Sequence, residues 1–134
     1  MEILESKTIW WKPPILVVED EDDLRHIIAT SLEKAGYEVS QASDGFVALE
    51  LLKIEPDKQY LLITDIKMPR LSGDALIAEA IKLGFKFFSI IVATGEGYVG
   101  VSIAKLLAEG KAKLLQKPYT AKAMLELVNT LSHD

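Results

Sequence analysis

Five polar side chains stand at equivalent places in this sequence, each directly after a short segment that favours a strand. They are, in chain order, Glu19, Asp20, Asp65, Thr94 and Lys117. Carboxylates, a hydroxyl and an ammonium are the groups that bind a hard cation and the oxygens of a phosphate. Phosphoryl transfer depends mostly on positioning and charge neutralisation, and these side chains offer both if the fold brings them together.

Three of these side chains are carboxylates, which repel one another when they are held close together. A pair about 4 Å apart costs roughly 4 kcal/mol at an effective dielectric constant of about 20, so a proton or a cation must relieve it. The sequence has no cysteine and only two histidines, His26 and His133, so we expect no zinc site. Oxygen ligands favour Mg²⁺, Mn²⁺ or Ca²⁺, and Mg²⁺ suits a few carboxylates that share the ion with a phosphate.

The natural nucleophile in such a set is a carboxylate, which forms an acyl phosphate. Asp65 is a better candidate than Glu19 or Asp20, because it stands alone after its strand. The segment 66–69, with the sequence IKMP, then turns the chain away from Asp65 and leaves its side chain accessible. The paired acids Glu19 and Asp20 are better placed to hold the metal.

The periodicity of apolar residues predicts the elements that must position these side chains, namely five strands alternating with five helices. The strands are predicted over 15–18, 37–42, 60–64, 87–93 and 111–116. The first helix is predicted between Leu24 and Gly36, the second after the capping residue Asp44, and the third between Ser72 and Gly84. The fourth and fifth helices are predicted over 98–109 and 120–131.

This alternation predicts an α/β fold, a doubly wound parallel sheet with helices on both faces. The strands read as continuous apolar runs, which is typical of parallel strands that are buried on both sides. Such sheets bind their ligands beyond the carboxyl ends of the strands, and the five polar side chains lie there. We therefore expect them to converge.

Four segments in this order resemble the response-regulator receiver domain, and the likeness runs from about residue 15 to residue 131. They are residues 15–21 (ILVVEDE), 62–69 (LITDIKMP) with Ser72 and Gly73, 92–95 (VATG) and 117–119 (KPY). The resemblance implies a flavodoxin-like, five-stranded parallel sheet with strand order 2-1-3-4-5 and five helices. It also implies a signalling domain that catalyses only its own phosphorylation and dephosphorylation, rather than an enzyme acting on other substrates.

The resemblance assigns a role to each of the polar residues. Asp65 matches the phosphoacceptor. Glu19 and Asp20 match the acidic pair that, together with Asp65, holds Mg²⁺, with Mn²⁺ as the alternative ion. The main-chain carbonyl of Lys67 matches a further metal ligand. Thr94 matches the hydroxyl that turns toward the phosphoryl group.

The end of the fifth predicted strand both matches the family and departs from it. Lys117 matches the lysine that pairs with the phosphoryl group, and the resemblance implies a cis bond between Lys117 and Pro118. Three positions earlier, where the family often has an aromatic switch residue, this chain has Leu114. Leucine has no ring or hydroxyl to exchange between buried and exposed positions, and Tyr98 or Tyr119 is an alternative carrier of that role.

We expect an N-terminal extension over 1–12 and the receiver domain over 13–134. The implied partner is a histidine kinase or a histidine phosphotransferase, with a downstream protein or a homodimer as the output. The net charge of −5 argues against direct binding of nucleic acid, and no apolar run is long enough for a membrane span, so a cytoplasmic location is expected. The chain ends soon after the last predicted helix, so a free-standing regulator, a relay shuttle and a receiver cut from a hybrid kinase all remain open.

Two other functions compete with phosphorelay signalling. An aspartyl-phosphate phosphatase of the haloacid dehalogenase type would also use aspartate, Mg²⁺ and lysine. That class needs an Asp-x-Asp pair directly after its first strand, whereas here the acceptor is Asp65 and position 67 is a lysine. The other alternative is a receiver-like interaction module that functions without phosphate, for which Leu114 is the single indication.

Overall fold

The computed structural model describes residues 11–95 and 99–132, which form one parallel sheet covered by helices. The strands are β1 (Ile15–Val18), β2 (Val39–Ala42), β3 (Leu61–Asp65), β4 (Ser89–Thr94) and β5 (Ala112–Gln116). The helices are α1 (Asp22–Lys34), α2 (Gly45–Ile54), α3 (Gly73–Lys82), α4 (Val101–Ala108) and α5 (Ala121–Ser132). Residues 1–10 of the predicted extension lie outside the described part of the chain.

The strands are arranged in the order β2-β1-β3-β4-β5, and every neighbouring pair is parallel. This confirms the predicted sheet and its strand order. The register keeps the carboxyl ends level, since Val18 pairs with Thr64 and Asp65 pairs with Ala93. Residues that follow β1, β3, β4 and β5 therefore meet along one edge of the sheet.

The two faces of the sheet carry two separate apolar cores, because successive side chains of a strand point to opposite sides. Leu16 and Val18 of β1 face the core formed with α2, α3 and α4. Ile15 and Val17 face the core formed with α1 and α5. Both β1 and β3 are buried along their whole length, which explains why their sequences do not alternate.

Two of the predicted helix caps are present in the structure. The Asp44 carboxylate accepts a hydrogen bond from the Val47 backbone N–H at 2.9 Å, and the Ser72 hydroxyl accepts one from the Ala75 N–H at 3.2 Å. Each bond satisfies an N–H of the first turn that has no partner within the helix. No helix in the described ranges is long and apolar enough to cross a bilayer.

Three elements begin two or three residues later than predicted. β2 begins at Val39 rather than at residue 37, because the Tyr37 N–H closes the end of α1 by donating to the Leu32 carbonyl. β4 begins at Ser89 rather than at residue 87. The helix predicted over 98–109 begins at Val101, and Tyr98 lies outside the described residues.

Candidate functional site

The carboxyl edge of the sheet brings three of the predicted site residues into one cluster. Glu19, Asp20 and Asp65 each offer a carboxylate oxygen, and the three oxygens lie within 4.8 Å of one another. Glu19 is 2% exposed and Asp65 is 9% exposed, while Asp20 is exposed to solvent. Glu19 and Asp65 therefore form the buried base of the cluster and Asp20 its open side, so the Asp65 side chain is less accessible than the sequence predicts.

Lys117 joins this cluster from the end of β5. Its ammonium Nζ donates to Oδ2 of Asp65 at 2.9 Å and to Oε1 of Glu19 at 3.3 Å. The Lys117 backbone N–H donates to the Thr94 carbonyl at 2.8 Å, which ties the end of β5 to the end of β4. The bond between Lys117 and Pro118 is cis, as the resemblance to the receiver family implies.

The other two predicted site residues lie close to this cluster in the fold. Thr94 is buried at the end of β4, one residue beyond Ala93, which pairs with Asp65. Lys67 is exposed and lies two residues after Asp65, at the start of the loop between β3 and α3. At this edge of the sheet, Lys117 contacts Asp65 and Glu19 directly. Thr94 lies next to them because β4 pairs with β3 in register.

Burial and charge alter the proton affinities of these groups. Burial raises the pKa of Glu19, and the negative charge of Asp65 adds to it, against the lowering effect of the Glu21 N–H and of Lys117. Burial by itself would lower the pKa of Lys117. The hydrogen bond to Asp65 and the negative charges of both acids outweigh burial, so the pKa of Lys117 is raised overall. Burial also raises the pKa of Tyr119 to about 12, so its phenol stays protonated at neutral pH.

The net charge of the cluster decides which ligand it suits. Three carboxylates and one ammonium leave a net charge of −2 when all four groups are ionised. A divalent cation would cancel that charge, and an all-oxygen donor set fits Mg²⁺ better than Zn²⁺. The residues present therefore fit a magnesium ion.

A family model described as the response regulator receiver domain matches residues 15–129, which include every element and every polar residue of this site. The chain belongs to the response regulator receiver domain family. Family membership argues against the phosphatase alternative.

Similar proteins differ widely in length. Response regulator receiver protein CpdR of Brucella abortus is 36% identical over 117 residues, which are 87% of this chain and 92% of CpdR. Sensor histidine kinase TmoS of Ectopseudomonas mendocina is 36% identical over 121 residues, which are 90% of this chain but 12% of TmoS. A crystal structure of a receiver domain protein from Clostridium thermocellum has a TM-score of 0.71 and 31% identity, covering 89% of this chain and 93% of that one.

The start of α3 holds the Asp65 backbone of this receiver domain in place. The Gly73 N–H donates to the Ile66 carbonyl at 2.8 Å, and a Cβ at Gly73 would overlap the Asp65 carbonyl oxygen. The Thr64 hydroxyl donates to that same oxygen at 2.9 Å. Only glycine allows this close approach, which fixes the position of Asp65 at the edge of the sheet.

Arg70 was not singled out in the sequence, yet it anchors the loop between β3 and α3. It has a left-handed backbone, with φ of 69°, and its guanidinium donates to the Asp44 carboxylate at 2.7 and 3.2 Å. The guanidinium also lies 5.0 Å from the centre of the Phe46 ring. Asp44 thus caps α2 and holds this loop at once, and no local sequence signal links residues 26 positions apart.

Asp74 is a second residue that the sequence did not reveal. Its carboxylate accepts a hydrogen bond from the Ile103 N–H in the first turn of α4 at 3.4 Å, while the N-cap Gly100 supplies no side chain. A Cβ at Gly100 would overlap that carboxylate. Asp74 therefore caps α4 from the neighbouring helix α3.

Leu114, which stands at the position of the usual aromatic switch, is exposed on β5 and pairs with Val92. Tyr119 is half-buried near the acidic cluster. Tyr98, the other alternative for this role, lies outside the described residues.

The double role of Asp44 predicts a measurable effect on stability. The hydrogen bond from Arg70 holds the pKa of Asp44 below its usual range. We expect Asp44→Ala to lower the free energy of unfolding by about 1–2 kcal/mol at pH 7, from the loss of the cap alone. A depressed folded-state pKa stabilises above the unfolded pKa of about 3.9, and this contribution disappears as the pH falls through the folded value.

Urea unfolding of wild type and Asp44→Ala at pH 7 and at about pH 3 tests this expectation. The difference between the two proteins is expected to shrink at the lower pH. Asp57→Ala, which changes an exposed acid with no capping role, is the control and is expected to unfold like wild type. A difference that persists unchanged at low pH would contradict the assignment.

Proposed function

We propose that this receiver domain accepts a phosphoryl group on Asp65 from a phosphohistidine of a histidine kinase or histidine phosphotransferase. The observation that carries the proposal is the contact of Lys117 with both Asp65 and Glu19 at the edge of the sheet. In the transfer, a carboxylate oxygen of Asp65 bonds to phosphorus and the bond from phosphorus to the histidine nitrogen breaks. The electron pair of that bond stays on the nitrogen, which then takes up a proton.

Lys117 is positioned to stabilise the acyl phosphate that this transfer forms. Its Nζ already donates to Oδ2 of Asp65 at 2.9 Å, so a small shift moves that hydrogen bond to a phosphoryl oxygen. We assign the Thr94 hydroxyl as donor to a second phosphoryl oxygen. The two donors act on charge that develops during transfer, which is where fixed donors accelerate phosphoryl chemistry most.

Glu19, Asp20 and Asp65 are the residues that would hold Mg²⁺, with the main-chain carbonyl of Lys67 as a further ligand. Mn²⁺ prefers the same oxygen donors and is the alternative ion. When bound, the ion supplies positive charge next to the transferring phosphoryl group. Buried Glu19 and the Lys117 ammonium then hold the Asp65 carboxylate in place within the cluster.

The output of the domain, in this proposal, is a change of conformation that a downstream protein or a second copy recognises. Val101 of α4 and Leu114 of β5 are both exposed and offer an apolar surface for such a partner. The net charge of −5 favours a protein partner over nucleic acid. We place this domain in the cytoplasm, the compartment expected from the sequence.

We propose that the phosphoryl donor docks on α1. Ile27 of this helix is 56% exposed and lines a shallow pocket with His26, Thr30 and Ala121, the first residue of α5. The buried core of a protein interface is apolar, so an exposed isoleucine beside a pocket suits a docking contact. The similarity to sensor histidine kinase TmoS supports a partner of this class.

Replacing Ile27 is expected to weaken phosphotransfer without affecting the chemistry at Asp65. With a histidine kinase that phosphorylates the wild-type chain, Ile27→Glu is expected to slow transfer roughly tenfold, measured with radiolabelled ATP. Labelling by acetyl phosphate, which needs no docking, is expected to stay as in wild type. Ile54→Glu, at an exposed isoleucine of α2, is the control, and equal kinase rates for both variants would contradict α1 docking.

Incubation with Mg²⁺ and acetyl phosphate, followed by intact mass, tests the proposed function directly. Wild type is expected to gain one phosphoryl mass, and the gain is expected to need the metal and to be absent in Asp65→Asn. Asp22→Asn removes an exposed acid of α1 outside the cluster and is expected to be labelled like wild type. No adduct on wild type would instead support the interaction module that functions without phosphate.

Lys117→Met is expected to change metal binding and phosphorylation in opposite directions. Removing the ammonium makes the cluster more negative, so Mg²⁺ is expected to bind at least about threefold more tightly by calorimetry. Labelling of Asp65 by acetyl phosphate is expected to slow by at least about tenfold, because a phosphoryl oxygen loses its donor. Lys113→Met, on the same strand, is the control, and parallel losses of both properties would indicate damage to the fold.

A further inference from the structure

The acids Glu19 and Asp20 lie in a loop of three residues, 19–21, between β1 and α1. A carboxylate on such a loop is only as well oriented as the loop backbone. The helix that follows does not fix this backbone through its cap, because the side chain of the N-cap residue Glu21 forms no hydrogen bond to the first turn. The position of the two acids must therefore be set by contacts from other parts of the fold.

Arg25 of α1 provides such contacts. Its guanidinium donates to the main-chain carbonyl of Glu19 at 2.8 Å and to the side-chain carbonyl of Gln41, in β2, at 3.3 Å. It also forms an ion pair with the Asp22 carboxylate at 2.8 Å, and the Arg25 side chain is only 11% exposed. Because the planar guanidinium has five N–H donors in a fixed arrangement, one side chain holds α1, the loop and β2 at a set spacing.

The carbonyl that Arg25 binds belongs to the peptide group between Glu19 and Asp20. On the other side of the same residue, the Glu19 N–H donates to the Ala42 carbonyl at the end of β2 at 3.1 Å. Both backbone groups of Glu19 are thus held. Asp20 is exposed to solvent, so its position depends on how this peptide group is held.

We propose that Arg25 is a positioning residue of the cation site, which holds the carboxylates of Glu19 and Asp20 at the spacing that a divalent cation requires. The inference rests on the proposed function and names the side chain that prepares the acids for the metal. Hydrogen bonds from residues that do not touch an ion commonly orient the residues that do, and losing one costs roughly 10–100-fold in affinity. Arg25 is positively charged and is not itself a ligand.

Charge and position predict opposite effects when Arg25 is replaced by a neutral residue. Removing a positive charge beside three carboxylates makes their surroundings more negative, which by itself strengthens the binding of a divalent cation. Releasing the peptide group between the two acids lets Asp20 move, which weakens binding. The direction of the change in affinity therefore distinguishes a positioning role from a role of charge alone.

Calorimetric titration of the metal-free chain with Mg²⁺ measures this direction. Arg25→Met is expected to bind Mg²⁺ roughly tenfold more weakly than wild type. Arg25→Lys keeps the charge and one donor for the Glu19 carbonyl, so an affinity between those two is expected. Lys34→Met removes the same charge from an exposed position at the end of α1 and is the control, expected to bind within about twofold of wild type.

Labelling by acetyl phosphate separates a positioning role from damage to the fold. In Arg25→Met, the Mg²⁺ concentration that gives half the maximal labelling rate of Asp65 is expected to rise roughly tenfold, as the affinity falls. The rate at saturating Mg²⁺ is expected to stay within about twofold of wild type, because Asp65 and Lys117 keep their contact. A lower maximal rate with an unchanged Mg²⁺ requirement would overturn the proposal.

Amide hydrogen exchange of the metal-free chain tests the loop without phosphate or metal. The peptide over 17–24 is expected to exchange at least about fivefold faster in Arg25→Met than in wild type or in Lys34→Met. The peptide over 122–131, in α5, is expected to exchange equally in all three proteins.

Unchanged or tighter Mg²⁺ binding by Arg25→Met would overturn the proposal, and so would equal exchange of the loop in all three proteins. A wild-type chain that binds Mg²⁺ but gains no phosphoryl group on Asp65 would contradict the proposed function, while the comparison of Mg²⁺ affinities would still decide the role of Arg25. A wild-type chain that binds no Mg²⁺ would overturn both. The two failures are therefore distinguishable.

Discussion

The hydrogen bonds from Lys117 to Asp65 and Glu19 are the interaction on which the site depends. Three carboxylates at one edge of a sheet repel one another, and a single ammonium offsets only part of that repulsion. The remaining net charge of −2 makes the cluster a binding place for a divalent cation. The same ammonium, moved by a small distance, is available to a phosphoryl oxygen, so one side chain serves both the resting cluster and the proposed reaction.

The parallel sheet makes this arrangement possible. Because β1, β3, β4 and β5 run in the same direction and stay in register, residues far apart in sequence meet where the strands end. The helices bury both faces and leave only the edges of the sheet for polar chemistry. Backbone contacts around Gly73 then hold Asp65 in place, and the Arg70–Asp44 pair ties its loop to α2.

The two ends of the sheet differ in chemistry. The carboxyl end is acidic and suits a cation and a phosphoryl group. The amino end carries a groove between α3 and α4 with exposed apolar side chains, which is bordered by Lys86, Lys105 and the Lys111–Glu109 ion pair. The Trp11 ring packs against Phe88 at this second end, away from Asp65.

By itself, the sequence determined the five strands, the five helices and the polar residues that follow the strands, because apolar runs, helical periodicity and capping residues such as Asp44 and Ser72 are local signals. The tertiary structure alone decided the pairing of Asp44 with Arg70 and the capping of α4 by Asp74, which join residues 26 and 29 positions apart. It also decided that Lys117 contacts Glu19 as well as Asp65. Such contacts depend on which surfaces face each other after the helices pack on the sheet, and no short stretch of sequence records that packing.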